Sequence, residues 1–260
     1  MSKYTKIAIL ATGGAGNIYE VIEQKTQKAY VMKTSRSDRK IYREAFQKEC
    51  SMLQKFNGYS HIIPLIEVIN ENGCKAIILP RMKRTLMDEI LSQPGSKLNE
   101  KDTAIMFKQI CEGVKHLHDQ QYAHLDIKPE NILVDEKGEC YLCDLGSVSS
   151  VYSGNEMTTT LYAAPEVHQA VYCRNPLPAD MWSLGIVLCN MLLGEQPGNI
   201  YDEFSLMQFI SEVQSQISIL AADLLEGLLA IHSKNRLTIN QVLNHPWFIF
   251  HAKKAQQKCV

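Results

Sequence analysis

The alternation of apolar and polar positions divides the chain into two parts with different predicted secondary structure. The first part predicts short strands at 4–10, 18–23 and 29–33, which are apolar or alternating and are separated by glycine-rich or polar turns. After about residue 43, apolar positions recur mainly at helical spacing. We therefore expect an α+β fold with a small strand-rich part followed by a larger, mostly helical part.

Two helices and one strand pair can be placed more closely. A helix at about 43–56 would bury Phe46, Met52, Leu53 and Phe56 on one face. A second helix is predicted at 99–120, with Asn99 as its N-cap. Two short strands at 132–134 and 141–143 flank a turn at 136–138. Together they would bring the segment before the first strand close to the segment after the second.

Composition limits the class of protein but does not identify it. The chain has 260 residues, enough for one large domain or two small lobes around a cleft, and its formal net charge of -1 gives no sign of nucleic-acid or membrane binding. Its longest apolar run, 185–193, is too short to cross a bilayer, so a soluble cytoplasmic protein is expected, with the nucleus left open. Among the scattered cysteines, Cys140 and Cys143 lack a second ligand pair, so packing is favoured over zinc.

The candidate chemistry centres on Asp126, within His-Leu-Asp-Ile-Lys-Pro-Glu-Asn, and on the Asp144-Leu-Gly triplet that follows. Asp126 could accept a proton from a hydroxyl, while Asn131 and Asp144 offer the oxygen ligands that Mg²⁺ prefers. Upstream, a glycine-rich turn at 11–18 could let the backbone approach phosphate oxygens. Taken singly, these features could also be a polar surface loop and an ordinary glycine hairpin.

Two charged positions could complete such a site. Lys33 ends the third predicted strand, where the commoner role of a lysine is a solvated surface charge. Glu49 and Glu44 compete to be its partner on the following helix, and Glu49 is preferred for its place before Met52 and Leu53. An anionic partner would hold the flexible lysine against a bound phosphate.

In this order and spacing, the motifs resemble the eukaryotic protein kinase domain of the serine/threonine class, over about residues 4–250. The resemblance implies a bilobal fold, with a mostly antiparallel β N-lobe (about 4–80) carrying one main helix, a hinge (about 80–83), a larger helical C-lobe (about 84–250) and a short tail (251–260). The segment 236–248 is most similar to the calcium/calmodulin-dependent kinase group. Leu125 stands where many kinases have arginine, so the catalytic loop is of the non-Arg-Asp type.

The resemblance also implies roles for individual residues, with ATP and Mg²⁺ as cofactors and Mn²⁺ as an alternative metal. The implied catalytic residues are Asp126 as base, Lys128 at the γ-phosphate, Lys33 paired with Glu49, and Thr159. The implied metal ligands are Asn131 and Asp144. The implied nucleotide-binding residues are Leu10, Ala11, Gly13, Gly14, Gly16, Ile18, Val31, Lys33, Leu79, Met82 and Leu133.

Besides Leu125, two positions depart from the family pattern, and the hinge region leaves a gap in it. Ala11 stands at the first glycine of the phosphate loop, and Leu145 stands where phenylalanine is usual. Pro80 has no backbone N–H, so the hinge donor to the base must be Met82. No ribose contact can be named, because Lys83 and Arg84 follow the hinge.

Further expectations concern partners and regulation. Glu166 and Arg236 should form a buried ion pair. Glu130, with Asp202 and Glu203 nearby, predicts a mild preference for basic residues upstream of a Ser or Thr acceptor, which Lys83 and Arg84 would oppose.

Leu125 and Ser149 replace two basic residues that bind a phosphorylated activation segment in many kinases, so the chain is expected to be active without that phosphate. Control is expected from partners, a regulatory protein among them, or from abundance or localisation. The expected partners are ATP and protein substrates, and a monomer is the default. The alternatives left open are a pseudokinase acting as a nucleotide-binding scaffold and a small-molecule kinase on the same fold.

Overall fold

The structure is a computed structural model that describes most of the chain. The residues described are 3–12, 16–35, 40–71, 74–151, 162, 164–168, 175–197, 200 and 202–256.

The N-terminal part is one antiparallel sheet of five strands in the order β1-β2-β3-β5-β4. The strands are β1 (Tyr4–Thr12), β2 (Gly16–Glu23), β3 (Ala29–Ser35), β4 (Glu67–Glu71) and β5 (Cys74–Pro80). All three predicted strands are confirmed. Helix α1 (Lys40–Lys55) follows β3 and begins three residues before the predicted start at 43, because the apolar positions that predicted it begin only at Phe46.

The two faces of this sheet have different neighbours. Val31 and Lys33 project from one face of β3, and Met32 projects from the other because side chains alternate along a strand. We call the face that carries Met32 the outer face. Its small core is separate from the main one and consists of Tyr4, Val21, Met32, Ala76 and Ile78. The inner face belongs to the main core, so its side chains are available to a site between the sheet and the rest of the chain.

The remainder is mostly helical, as the predicted fold class requires. The helices are α2 (Leu86–Leu91), α3 (Glu100–Asp119), α4 (Pro165–His168), α5 (Leu177–Leu193), α6 (Glu203–Val213), α7 (Ile219–Leu228), α8 (Ile239–Leu243) and α9 (Pro246–Gln256). Helix α5 is buried from Ala179 to Leu192 and forms the centre of this part. The Asn99 side chain accepts a hydrogen bond from the backbone N–H of Asp102 at 3.0 Å, which confirms the predicted cap of α3.

Five short strands position the loops of the site. Strands β6 (Arg84–Thr85), β8 (Ile132–Val134) and β9 (Cys140–Leu142) form one small sheet, and β7 (Tyr122–Ala123) pairs with β10 (Ser149–Ser150). The prediction of a strand at 141–143 was one residue too late. Cys140 pairs with Val134, whereas Cys143 precedes Asp144, whose left-handed backbone (φ 59°) turns the chain out of the ladder.

The two neighbouring cysteines are free thiols, with Cys140 buried and Cys143 half-buried. Burial raises the pKa of Cys140 to about 12. Across the described ranges, no cluster of three or more His, Cys, Asp or Glu side chains could hold a metal ion by itself. Nor does any helix in those ranges combine the length and apolarity needed to cross a membrane.

Candidate active site

A cavity of about 500 Å³ lies between the inner face of the N-terminal sheet and the short strands after it. Apolar side chains from both sides form walls suited to a flat ring, as in most small-molecule sites. Of the predicted nucleotide-binding residues, those lining this cavity are Leu10, Ala11, Ile18, Val31, Lys33, Leu79, Met82 and Leu133. The structure therefore brings together, in one cavity, residues that lie more than a hundred positions apart in sequence.

The outcome differs for the three glycines that were predicted to bind nucleotide. Gly13 and Gly14 lie outside the described residues, as does Thr159. Gly16 begins β2, and a Cβ atom added there would lie 1.8 Å from the carbonyl oxygen of Thr34 on the paired strand β3. Close approach of two strands is therefore sufficient to require glycine at this position. A role for Gly16 at a phosphate remains a prediction.

Lys33 lies between two carboxylates at one end of the cavity. Its Nζ atom is 2.7 Å from Glu49 Oε1 and 3.2 Å from Asp144 Oδ1. Burial alone would lower the pKa of Lys33, but the two carboxylates raise it above its usual value, so the ammonium form is held. Glu44, the competing partner, is instead on the surface 3.6 Å from Lys40.

Asp126 is held by the two polar residues that follow it. Lys128 Nζ lies 3.0 and 2.9 Å from its two carboxylate oxygens. The amide nitrogen of Asn131 donates to Asp126 Oδ2 at 2.7 Å and to the Asp126 carbonyl at 2.9 Å. Because that nitrogen is engaged twice, the amide oxygen of Asn131 is the atom suited to bind a cation.

Asn131 and Asp144 are held side by side by backbone contacts. The N–H of Cys143, directly before Asp144, donates to the Asn131 carbonyl at 2.9 Å. Burial alone would raise the pKa of Asp144, but Lys33 lowers it below its usual value, so the carboxylate stays ionised. One amide and one carboxylate oxygen fit Mg²⁺, which commonly takes one or two protein ligands and completes its shell with phosphate oxygens and water.

The backbone of the loop before Asp126 is fixed from beneath by Asp180 on α5. Its carboxylate accepts from the N–H groups of His124 at 2.7 Å and Leu125 at 2.8 Å, and from the His118 ring at 2.9 Å. Leu125 is buried and left-handed (φ 65°), an unfavourable conformation for a leucine. The two charge-assisted bonds from consecutive N–H groups hold it there.

The mouth of the cavity adds residues that sequence reasoning did not assign. Arg81 and Asp88 line it beside the hinge, although nothing in the apolar pattern distinguishes them. Asp88 Oδ2 accepts from the backbone and hydroxyl of Thr85, which caps α2. Arg84 pairs with Glu89, and Lys83 lies 3.5 Å from Glu136.

The predicted pair of Glu166 and Arg236 is confirmed. Both guanidinium Nη atoms bind the carboxylate, at 2.6 and 2.7 Å. Arg236 also donates to the carbonyls of Pro178, Ala230 and Ile231. This fork-to-carboxylate geometry ties α4 to the start of α5 and to the loop before α8.

Comparison with known proteins agrees with this geometry. The chain is 29% identical over 256 residues to serine/threonine-protein kinase dkf-1 of Caenorhabditis elegans, which covers 92% of this chain and 35% of that protein. It is 27% identical over 274 residues to serine/threonine-protein kinase H2 of Homo sapiens (99% of this chain, 70% of that protein). It is 30% identical over 216 residues to serine/threonine protein kinase OSK3 of Oryza sativa subsp. japonica (79% and 41%).

The chain thus spans about a third of the length of dkf-1 from either Caenorhabditis elegans or Caenorhabditis briggsae. A family model described as the protein kinase domain matches residues 4–248, which is nearly the whole chain. The matched range contains the five-stranded sheet, the cavity, Asp126 and the paired Glu166 and Arg236. On this match, the chain belongs to the protein kinase domain family.

Proposed function

We propose that this chain is a serine/threonine protein kinase that transfers the γ-phosphate of ATP to protein hydroxyl groups. The observation that carries the proposal is the convergence of Lys33, Asp126, Asn131 and Asp144 at one end of an apolar cavity. The acceptor class comes from the names of the relatives and from Lys128, two residues after the base. The lower-lobe likeness to the calcium/calmodulin-dependent kinase group and a cytoplasmic location belong to the same proposal.

In this mechanism, Asp126 accepts the proton of the acceptor hydroxyl as its oxygen forms a bond to the γ-phosphorus. The bond from that phosphorus to the bridging oxygen breaks, and ADP leaves. Lys128, which already contacts Asp126, would turn its ammonium group towards the γ-phosphate, and Lys33 would bind the α- and β-phosphates. Asn131 and Asp144 would hold Mg²⁺, which would add positive charge beside the phosphates.

The test is substitution of the proposed base. Asp126→Asn keeps the size of the side chain but cannot accept the proton, so turnover should fall by about 10²–10⁴-fold. The dissociation constant for Mg-ADP should change less than about twofold, because Asp126 does not touch the cavity walls that bind the base. Phosphate transfer to a peptide library and calorimetric binding measure the two quantities.

Asp119→Asn is the matched control, since Asp119 is a surface acid paired with Lys115 at 2.8 Å. Equal turnover for wild type and Asp126→Asn would reject the assigned base. Nucleotide binding with no transfer by the wild type would favour the scaffold alternative.

We also propose that activity does not require a phosphorylated activation segment. Leu125 is an apolar, buried residue, and Ser149 lies in β10 paired with Ala123, so neither offers a cation to a phosphate. The helix that carries Glu49 has a separate anchor, because Lys55 Nζ lies 3.2 Å from the hydroxyl of Tyr122, two residues before His124. After phosphatase treatment, an assay that prevents re-phosphorylation should retain most activity. Loss of nearly all activity, restored by phosphate on one segment residue, would contradict this.

For the substrate, the proposal remains a mild preference for basic residues upstream of the acceptor. Glu130 is exposed and lines the cavity, while the two opposing cations are each paired with an acid, Lys83 with Glu136 and Arg84 with Glu89. Their pairing reduces the positive charge that opposes Glu130 at this edge. A library profile should lose its basic preference in Glu130→Gln, and a wild-type profile that favours acidic residues would contradict the proposal.

A further inference from the structure

The hinge carbonyl of Met82 already has a donor from within the protein. Arg81 folds back along the chain, and its Nη1 atom donates to this carbonyl oxygen at 2.5 Å. Its Nε atom lies 3.3 Å from Glu20 Oε1 on β2. Both Arg81 and Met82 line the cavity. Glu20 thus holds the guanidinium group over one of the few polar groups that a bound base could contact.

The two purines make different demands on such a hinge. Adenine presents an amino group and the acceptor N1, which complement the Pro80 carbonyl and the Met82 N–H. Guanine presents the acceptor O6 beside two donors, N1–H and the 2-amino group. When O6 takes the Met82 N–H, the two donors face the Met82 carbonyl. Guanine therefore needs that carbonyl, whereas adenine does not.

We propose that Arg81, held by Glu20, makes this cavity selective for adenine over guanine nucleotides. This inference rests on the proposed function, which supplies a purine nucleotide as the ligand. A guanidinium group carries only donors and a positive charge, so it opposes the donor edge of guanine. A donor left without an acceptor in a partly closed site lowers affinity substantially. Specificity here comes from an unfavourable contact with the wrong base.

A modified adenine gives a sharper test of the same reasoning. The nucleotide of 2,6-diaminopurine keeps the amino group and the N1 acceptor of adenine and adds one donor at position 2. That donor points to the region of the Met82 carbonyl. The wild-type chain should therefore bind it less tightly than the adenine nucleotide, even though every adenine contact is retained.

The experiment measures dissociation constants of Mg-ADP, Mg-GDP and the 2,6-diaminopurine diphosphate by calorimetry. In Arg81→Ala, the ratio of the GDP to the ADP dissociation constant should fall by about tenfold. The dissociation constant of the diaminopurine nucleotide should fall by a similar factor. ADP affinity should stay within about twofold, since adenine does not use the Met82 carbonyl. Lys83→Ala is the matched control, because Lys83 is the next cation along the hinge but pairs with Glu136.

A second variant tests the positioning role of Glu20. Glu20→Gln removes the charge that holds Arg81 and should give a smaller shift in the same direction, with an unchanged melting temperature for the unliganded protein. An ADP-to-GDP ratio that stays the same in Arg81→Ala, with ADP binding intact, would overturn this inference alone. A wild-type chain that binds neither nucleotide would overturn the proposed function and this inference with it.

Discussion

Two cations inside this molecule, Arg236 and Lys33, are each paired with a glutamate, but they are used differently. The Arg236 side chain is 0% exposed, and its nitrogens bind both oxygens of Glu166 and three backbone carbonyls. The Lys33 side chain is 16% exposed and contacts one oxygen each from Glu49 and Asp144 at the edge of a cavity. Both are ion pairs, yet only one has its hydrogen-bonding capacity filled by the protein.

This difference indicates what each pair is for. An arginine with every donor directed at a fixed protein acceptor joins elements that must not move. A lysine has three donors, and Lys33 directs two of them at carboxylates, which leaves one for a ligand. In Arg236 every N–H donor is bound by the protein, whereas in Lys33 one donor is left. This difference distinguishes the structural ion pair from the pair in the site without reference to sequence motifs.

The largest expected effect on stability comes from breaking the ion pair of Arg236 and Glu166. Arg236→Ala leaves the Glu166 carboxylate and three carbonyls without their donor, so the free energy of unfolding should fall by about 3–5 kcal/mol. Urea unfolding measures this. Lys234→Ala, two residues away and exposed, is the control and should change stability little. A loss no larger than that of the control would mean that the pair is not structural.

Breaking the contacts of Lys33 with Glu49 and Asp144 should act mainly on turnover. Lys33→Met keeps most of the length of the side chain and removes its charge, so phosphate transfer should fall about 10²-fold or more through lost electrostatic stabilisation. The unfolding free energy should drop by only about 2 kcal/mol, because one cavity-facing cation is lost without the accompanying carbonyl contacts. A stability loss as large as that of Arg236→Ala would remove the distinction between the two pairs.

The losses of unfolding free energy in Lys33→Met and in Arg236→Ala should also depend differently on pH. Lys33 lowers the pKa of Asp144 below 3.8, so the stability this gives is present above that pH and is lost as the pH falls through the lower, folded value. The stability that Lys33→Met loses relative to wild type should therefore become smaller as the pH falls from 7 through that folded pKa. Most of the Arg236→Ala deficit should persist, because carbonyls do not titrate. Paired urea titrations at several pH values measure both.

The smallest effect is expected from a surface pair that calibrates the comparison. Glu44 lies 3.6 Å from Lys40, with side chains 61% and 83% exposed. Glu44→Gln should change unfolding free energy by less than about 0.5 kcal/mol and leave turnover unchanged. It also checks the choice of partner for Lys33, since a marked loss of turnover would point to Glu44 instead of Glu49.

Much of the fold was predictable because burial leaves a periodic trace. The strands before residue 35, the helix after Asn99 and the strand 132–134 all follow from alternation, helical spacing or a cap. The start of α1 and the bounds of β9 were misplaced, since the apolar positions that predicted α1 begin only at Phe46 and a left-handed residue such as Asp144 adds no apolar signal.

The site was predictable where its residues sit in a spaced motif, as with the meeting of Lys33, Asp126, Asn131 and Asp144. Its polar mouth was not. The contact of Arg81 with the Met82 carbonyl depends on the direction of a long exposed side chain, and Asp88 reaches the cavity only because α2 begins at Leu86. Neither the order nor the spacing of residues encodes such directions.

The position of Asp180 has a consequence for amide hydrogen exchange. Its carboxylate binds the backbone N–H groups of His124 and Leu125, and it lies on a helix that is buried along most of its length. Those two amide protons can reach solvent only when the contact between this helix and the loop opens. They should therefore exchange at the rate set by global unfolding, so a loop at the centre of the chemistry would report the stability of the whole helical core.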